Sequence, residues 1–167
     1  MAKAIPCERF SYNPALRYSI RNSLGLKDYF VVGHVGRFMA QKNHSKLLDI
    51  FHIIYQKNPQ SRLLLIGEGE LMDKVRQKAC RLNIADAVIF AGNQKNMPQW
   101  YHAMDVFVLP SLFEGLSIAG IEAQAAGLPC VFSDALSLEA AITKRIHYVS
   151  LTESDAVWAD VILSCIG

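Results

Sequence analysis

The sequence is poor in cysteine, and its four residues of that type (Cys7, Cys80, Cys130, Cys165) stand far apart. There is no CxxC pair and no histidine near any of them at ligand spacing. That pattern excludes a disulfide framework and a zinc site, and predicts reduced, buried thiols in a cytoplasmic protein. No GxxxxGK(S/T) phosphate loop occurs, which removes P-loop ATPases and GTPases. No Asp-x-Asp triplet occurs either, so no metal site and no cofactor are expected. Charge of one sign is scarce: 17 Lys and Arg against 15 Asp and Glu leave a net +2. This is too little for a nucleic-acid surface, and no nucleic-acid partner is expected. The opening MAKAIPCERFSYNP lacks the apolar core of a secretory signal. The most apolar stretch, residues 106–132, is interrupted by Pro110, Glu114, Glu122 and Pro129, so no membrane-spanning run is predicted.

What remains is a globular composition. The chain has 167 residues, 51% of them hydrophobic and 19% charged, enough for one domain with its own core. Residues 1–28 read as an irregular, polar N-terminal segment. Residues 29–167 read as one domain in which buried, β-branched runs alternate with helical periodicity. The runs are 29–36, 62–67, 87–91, 105–109, 128–132 and a weaker 145–149. The helical segments are 43–57, with Asn43 as N-cap, then 70–82, 98–104, 117–126 and 153–164. Continuous apolar strands separated by helices predict an α/β fold with a doubly wound parallel sheet, Rossmann-like, covered on both faces.

Such sheets bind ligands at the carboxyl ends of their strands, so the βα loops carry the functional information. In the first, Gly36 lets backbone approach a ligand, and Arg37 and Lys42 flank a helix start. A guanidinium, an ammonium and a helix dipole together suit a diphosphate; the alternative is two solvated cations. The second, Gly67-Glu-Gly69-Glu-Leu-Met72, begins like a dinucleotide fingerprint but has Met where the third Gly belongs, which favours a tight turn. Around the fourth, Glu114 lies in the loop and Glu122 on the following helix, about five residues past Ser117, or roughly 7–8 Å along the axis. The N–H groups of Leu116, Ser117 and Ile118 open that helix. Carboxylates only accept, so they suit paired hydroxyls; the order carboxylate, amides, carboxylate fits a sugar, a diphosphate and a ribose. Glu122 sits among Ile118, Ala119, Ile121, Ala123, Ala125 and Ala126, where an unpartnered carboxylate is costly, which points to a bound partner. Glu114 alone reads equally as a solvated acid. The five histidines (His34, His44, His52, His102, His147) are expected to be structural, with His34 and His44 near the first loop. Trp100-Tyr101 is expected to pack against the sheet.

At these residues the chain resembles a known family. HVGRFMAQKNH, RLLLIGEGEL, VIFAGN, MDVFVLPSLFEGL and IEAQAAGLPCV, in this order, are similar to the C-terminal, donor-binding domain of GT-B-fold retaining glycosyltransferases of family 4 (group 1 glycosyl transferases). Glu114 and Glu122, seven residues between them, match its most specific motif. The resemblance implies one half of a GT-B fold and a nucleotide-diphosphate sugar, UDP- or GDP-linked, as donor substrate. Arg37 and Lys42 would hold the diphosphate and stabilise its growing charge. Glu114 would contact the transferred sugar and Glu122 the ribose. Gly115, Leu116, Ser117 and Ile118 would line the phosphates, and Gly92 and Asn93 would flank the base. Gly36 and Gly67 complete the donor-binding set. Ser117 stands where the family often has Gly.

The resemblance also implies a missing N-terminal domain that binds the saccharide or lipid-linked acceptor, with residues 5–13 similar to the segment leaving the interdomain linker. The isolated chain is then an inactive half of a hexosyltransferase of polysaccharide or glycolipid biosynthesis. Its expected location is cytoplasmic, with any peripheral attachment at the inner face of the membrane coming from the missing domain. A GT-B-like nucleotide-sugar epimerase and a non-enzymatic nucleotide-binding module are the alternatives.

Overall fold

The computed structural model describes residues 7–166. Its six strands are β1 (Phe30–Val35), β2 (Ser61–Ile66), β3 (Val88–Gly92), β4 (Val106–Leu109), β5 (Cys130–Ser133) and β6 (Ile146–Val149). All pair in parallel, in the order β3-β2-β1-β4-β5-β6. The expected doubly wound parallel sheet is therefore present. The order reverses between β1 and β4, which makes their carboxyl ends the switch point.

Strand residues alternate between two cores. Val32, Leu63, Leu65, Val106, Val108 and Val131 face α3 (His44–Lys57), α4 (Met72–Arg81) and α7 (Asp155–Leu163). Val31, Leu64, Ile66, Phe107, Leu109 and Phe132 face the other layer. That layer holds α1 (Cys7–Phe10), α2 (Pro14–Ser23), α5 (Met97–His102) and α6 (Ile118–Ala125). Because both faces are covered, the strands carry no polar side, which is why they read as unbroken apolar runs.

Three expectations need correction. Residues 7–10 and 14–23 are helical, not irregular; residues 1–6 lie outside the described part. Asn13 caps α2 by accepting from the Leu16 N–H at 3.1 Å, and Pro14 occupies the first turn, where its missing N–H costs nothing. Helix α2 is fastened by Arg17 and Arg21, both paired with Asp105, whose Oδ2 also accepts the Val31 N–H at 2.8 Å. Secondly, Asn43 precedes α3 in a left-handed conformation (φ 62°) and makes no side-chain cap. Its amide reaches across to donate to the Pro110 carbonyl at 2.9 Å. Thirdly, only Cys130 of the four thiols is buried; Cys7 and Cys80 are exposed and Cys165 is half-buried.

Candidate functional site

The loops after β1 and β4 are stitched together at the switch point. The Leu112 N–H donates to the Gln41 carbonyl at 2.8 Å, and the Gln41 amide donates to Phe113 at 2.9 Å. With the Asn43 contact, these bonds bring Lys42 to Glu114, where Nζ donates to Oε1 at 2.5 Å. The other carboxylate oxygen accepts from Ser111 at 2.9 Å. Ser111 is fully buried, and its carbonyl is held by the Ser133 hydroxyl at the end of β5, at 2.6 Å. Glu114 is thus fixed from three loops and is not a free solvated acid. Lys42, expected on the diphosphate, and Glu114, expected on the transferred sugar, satisfy each other here, so an anion on Lys42 and hydroxyls on Glu114 would exchange with this pair.

Arg37 leaves the same loop exposed, and among the described residues its guanidinium meets no acceptor. Ser117 caps α6: its hydroxyl accepts the Gly120 N–H at 3.0 Å. The N–H groups of Leu116, Ser117 and Ile118 meet no acceptor among the described residues, which leaves the α6 dipole and three donors facing the switch point. A Cβ added at Gly115 would meet nothing within 4 Å, so the backbone is open there.

Glu122 stands one layer deeper. The partner that its apolar surroundings demanded comes from the protein: the hydroxyl of fully buried Tyr101 donates to Glu122 Oε1 at 2.9 Å. The second oxygen has no partner among the described residues. Sequence reasoning gave Tyr101 a packing role only; the available signal was that a buried phenol needs an acceptor.

Gly67 is closely packed on its Cβ side. It has φ 130°, and a Cβ there would stand 2.2 Å from the Gly36 carbonyl oxygen. Its N–H is taken by Gly92, at 2.9 Å. Gly67 and Gly92 thus pack the ends of β1, β2 and β3 together beneath Gly36, as a tight turn requires. Asn93 is exposed, 3.4 Å from Glu68.

Behind the first loop, His34 and His44 are buried edge-to-face, 4.7 Å apart, and His44 stacks on Phe38 at 4.2 Å. Since a carbonyl only accepts, His34 Nδ1 carries the proton it donates to Val108 at 2.8 Å. His34 Nε2 and both His44 nitrogens are without partners among the described residues. Burial pulls His34 down to about 4, and burial, His34 and Lys42 pull His44 down to about 2. Both side chains are held neutral by burial.

A cavity of about 690 Å³ lies at the opposite edge, lined in part by Tyr12, Arg17, Arg21, His102, Asp105 and Arg145. Its arginines are spent on Asp105 and backbone carbonyls.

Comparison with known proteins identifies the family and the fold. Residues 29–166 match the family model of group 1 glycosyl transferases. Over 136 residues the chain is 36% identical to the putative glycosyltransferase EpsF of Bacillus subtilis (strain 168), covering 81% of this chain and 35% of that protein. It is 38% identical over 115 residues to the Escherichia coli UDP-Gal:alpha-D-GlcNAc-diphosphoundecaprenol alpha-1,3-galactosyltransferase, covering 66% and 30%. It therefore spans about a third of the length of these relatives. The crystal structure of Anabaena HepE in complex with UDP and glucose superposes with a TM-score of 0.87 at 24% identity, over 99% of this chain and 46% of that one. The fold is thus the Rossmann-like α/β unit of such glycosyltransferases, and the chain belongs to the group 1 glycosyl transferases.

Proposed function

We propose that this chain is the donor-binding, C-terminal half of a retaining glycosyltransferase, taking a UDP- or GDP-linked sugar for transfer to a saccharide or lipid-linked acceptor. The observation that carries the reading is the switch point itself: Lys42 and Glu114 meet there across the loops after β1 and β4, Arg37 stands exposed on the first of these loops, and the N–H groups that open α6 have no acceptor among the described residues. Cations and amides suit a diphosphate; acceptor-only carboxylates suit the hydroxyls on either side of it.

During transfer, the bond from the anomeric carbon to the diphosphate oxygen breaks, and the acceptor oxygen bonds to that carbon with retention. Negative charge grows on the departing diphosphate. Arg37, Lys42 and the α6 amides are placed to stabilise it, which is electrostatic catalysis by fixed groups. The acceptor site and further catalytic groups belong, on this reading, to an N-terminal domain in the same polypeptide. Relatives named for polysaccharide and undecaprenol-linked products support a role in polysaccharide or glycolipid assembly, at the inner face of the membrane. Among the described residues no helix is long and apolar enough to cross one. The relatives are named as glycosyltransferases, which favours neither an epimerase nor a non-enzymatic module.

Calorimetric titration with UDP, GDP and their nucleosides tests the reading. One diphosphate binds saturably, and Arg37→Ala weakens it about tenfold, the worth of one charge-assisted hydrogen bond, while leaving the nucleoside unaffected. Equal loss for diphosphate and nucleoside contradicts the clamp.

A further inference from the structure

We infer that Tyr101 is a positioning residue for Glu122, holding that carboxylate ready for the ribose diol of the donor; the inference rests on the donor-site reading above. Tyr101 is fully buried, and its ring is gripped edge-on by Phe10 at 5.8 Å and by Phe107 at 5.9 Å. The hydroxyl therefore has a fixed position. It donates to Glu122 Oε1 at 2.9 Å, from α5 to the neighbouring α6.

A glutamate side chain loses rotamer freedom when it is ordered. The Tyr101 bond brings about that ordering before any ligand arrives, so a ligand finds the acceptor already aimed. The bond takes one lone pair of Oε1 and leaves Oε2 without a protein partner. A carboxylate so placed can take two further O–H donors, and a vicinal diol supplies two. Phe10, which holds the ring, lies on α1, so the N-terminal segment buttresses the same contact.

Tyr101→Phe keeps the ring and its packing and removes only the hydroxyl. The test is calorimetry on the parent chain, Tyr101→Phe, Glu122→Ala and the double variant. Each is titrated with UDP, GDP, their 2′-deoxy forms and inorganic pyrophosphate. The parent is expected to bind one ribonucleoside diphosphate more tightly than its 2′-deoxy form. Tyr101→Phe lowers that affinity about five- to tenfold, narrows the ribose preference and leaves pyrophosphate unchanged. In the Glu122→Ala background it has no further effect.

Full affinity in Tyr101→Phe beside a loss in Glu122→Ala overturns the positioning role and leaves the donor-site reading standing. A loss shared equally by nucleotide and pyrophosphate, or one that persists without Glu122, makes Tyr101 a core residue only and also overturns the inference. Unchanged affinity in Glu122→Ala, or no binding of either diphosphate by the parent, overturns the donor-site reading itself.

Discussion

Glu114 has a side chain only 11% exposed, and each of its oxygens has a donor there, Lys42 on one side and Ser111 on the other. The neighbouring histidines solve the same problem by staying neutral. Below pH 6.5 the unfolded chain protonates both imidazoles, whereas the folded chain refuses until about pH 4 for His34 and about pH 2 for His44. Their folded values are depressed, so the stability they permit is complete above pH 6.5 and falls as the pH drops below it. Each contributes up to about 1.4 kcal/mol per pH unit. Urea midpoints measured from pH 7.5 to 5 should decline steeply in the parent and about half as steeply in His44→Phe, whose ring keeps the stack on Phe38. Parallel profiles would contradict this assignment. At this scale the sequence showed that Glu122 needed a partner, but not which one: Tyr101 is 21 positions away, and only the packing of α5 on α6 joins them.

At the scale of elements, every strand and the five helices from α3 onward were legible because burial on both sheet faces leaves uninterrupted apolar runs, and helix burial leaves its own period. Helix α2 was hidden for the opposite reason. Its inward face is built from Arg17 and Arg21, four residues apart, with Ile20 the only buried aliphatic of the helix, so it carries few apolar residues to mark it. The two guanidiniums reach the Asp105 carboxylate and the carbonyls of His102, Ala103, Met104, Leu26 and Tyr29. Removing the shared carboxylate leaves Arg21, 8% exposed, with an unbalanced charge. Asp105→Ala should therefore lower unfolding stability by about 3 kcal/mol, measured by urea titration. A loss under about 1 kcal/mol would show that α2 is held by packing instead. The left-handed Asn43 was missed for a related reason: its side chain answers a carbonyl 67 positions away, a contact that local cap statistics do not contain.

For the whole molecule, strand order fixes where chemistry can occur. The winding reverses between β1 and β4, so their loops diverge at the carboxyl edge, and the Lys42–Glu114 pair spans them. The amino edge holds a cavity of about 690 Å³, where Arg17 and Arg21 pair with Asp105 and dock α2. Alternation of strands and helices made the sheet readable from sequence, and the residues flanking each strand end made the candidate site readable. The loop-to-loop hydrogen bonds that assemble that site were not readable, because they join segments with no shared local pattern. The central claim is that a nucleoside diphosphate binds at the carboxyl edge. The most direct measurement is amide chemical-shift mapping of the chain with saturating UDP and, separately, GDP. One of the two should move resonances of residues 36–42, 111–118 and 122, leaving those around Tyr12, His102 and Arg145 in place. Shifts centred on the amino edge, or none with either nucleotide, would contradict the account.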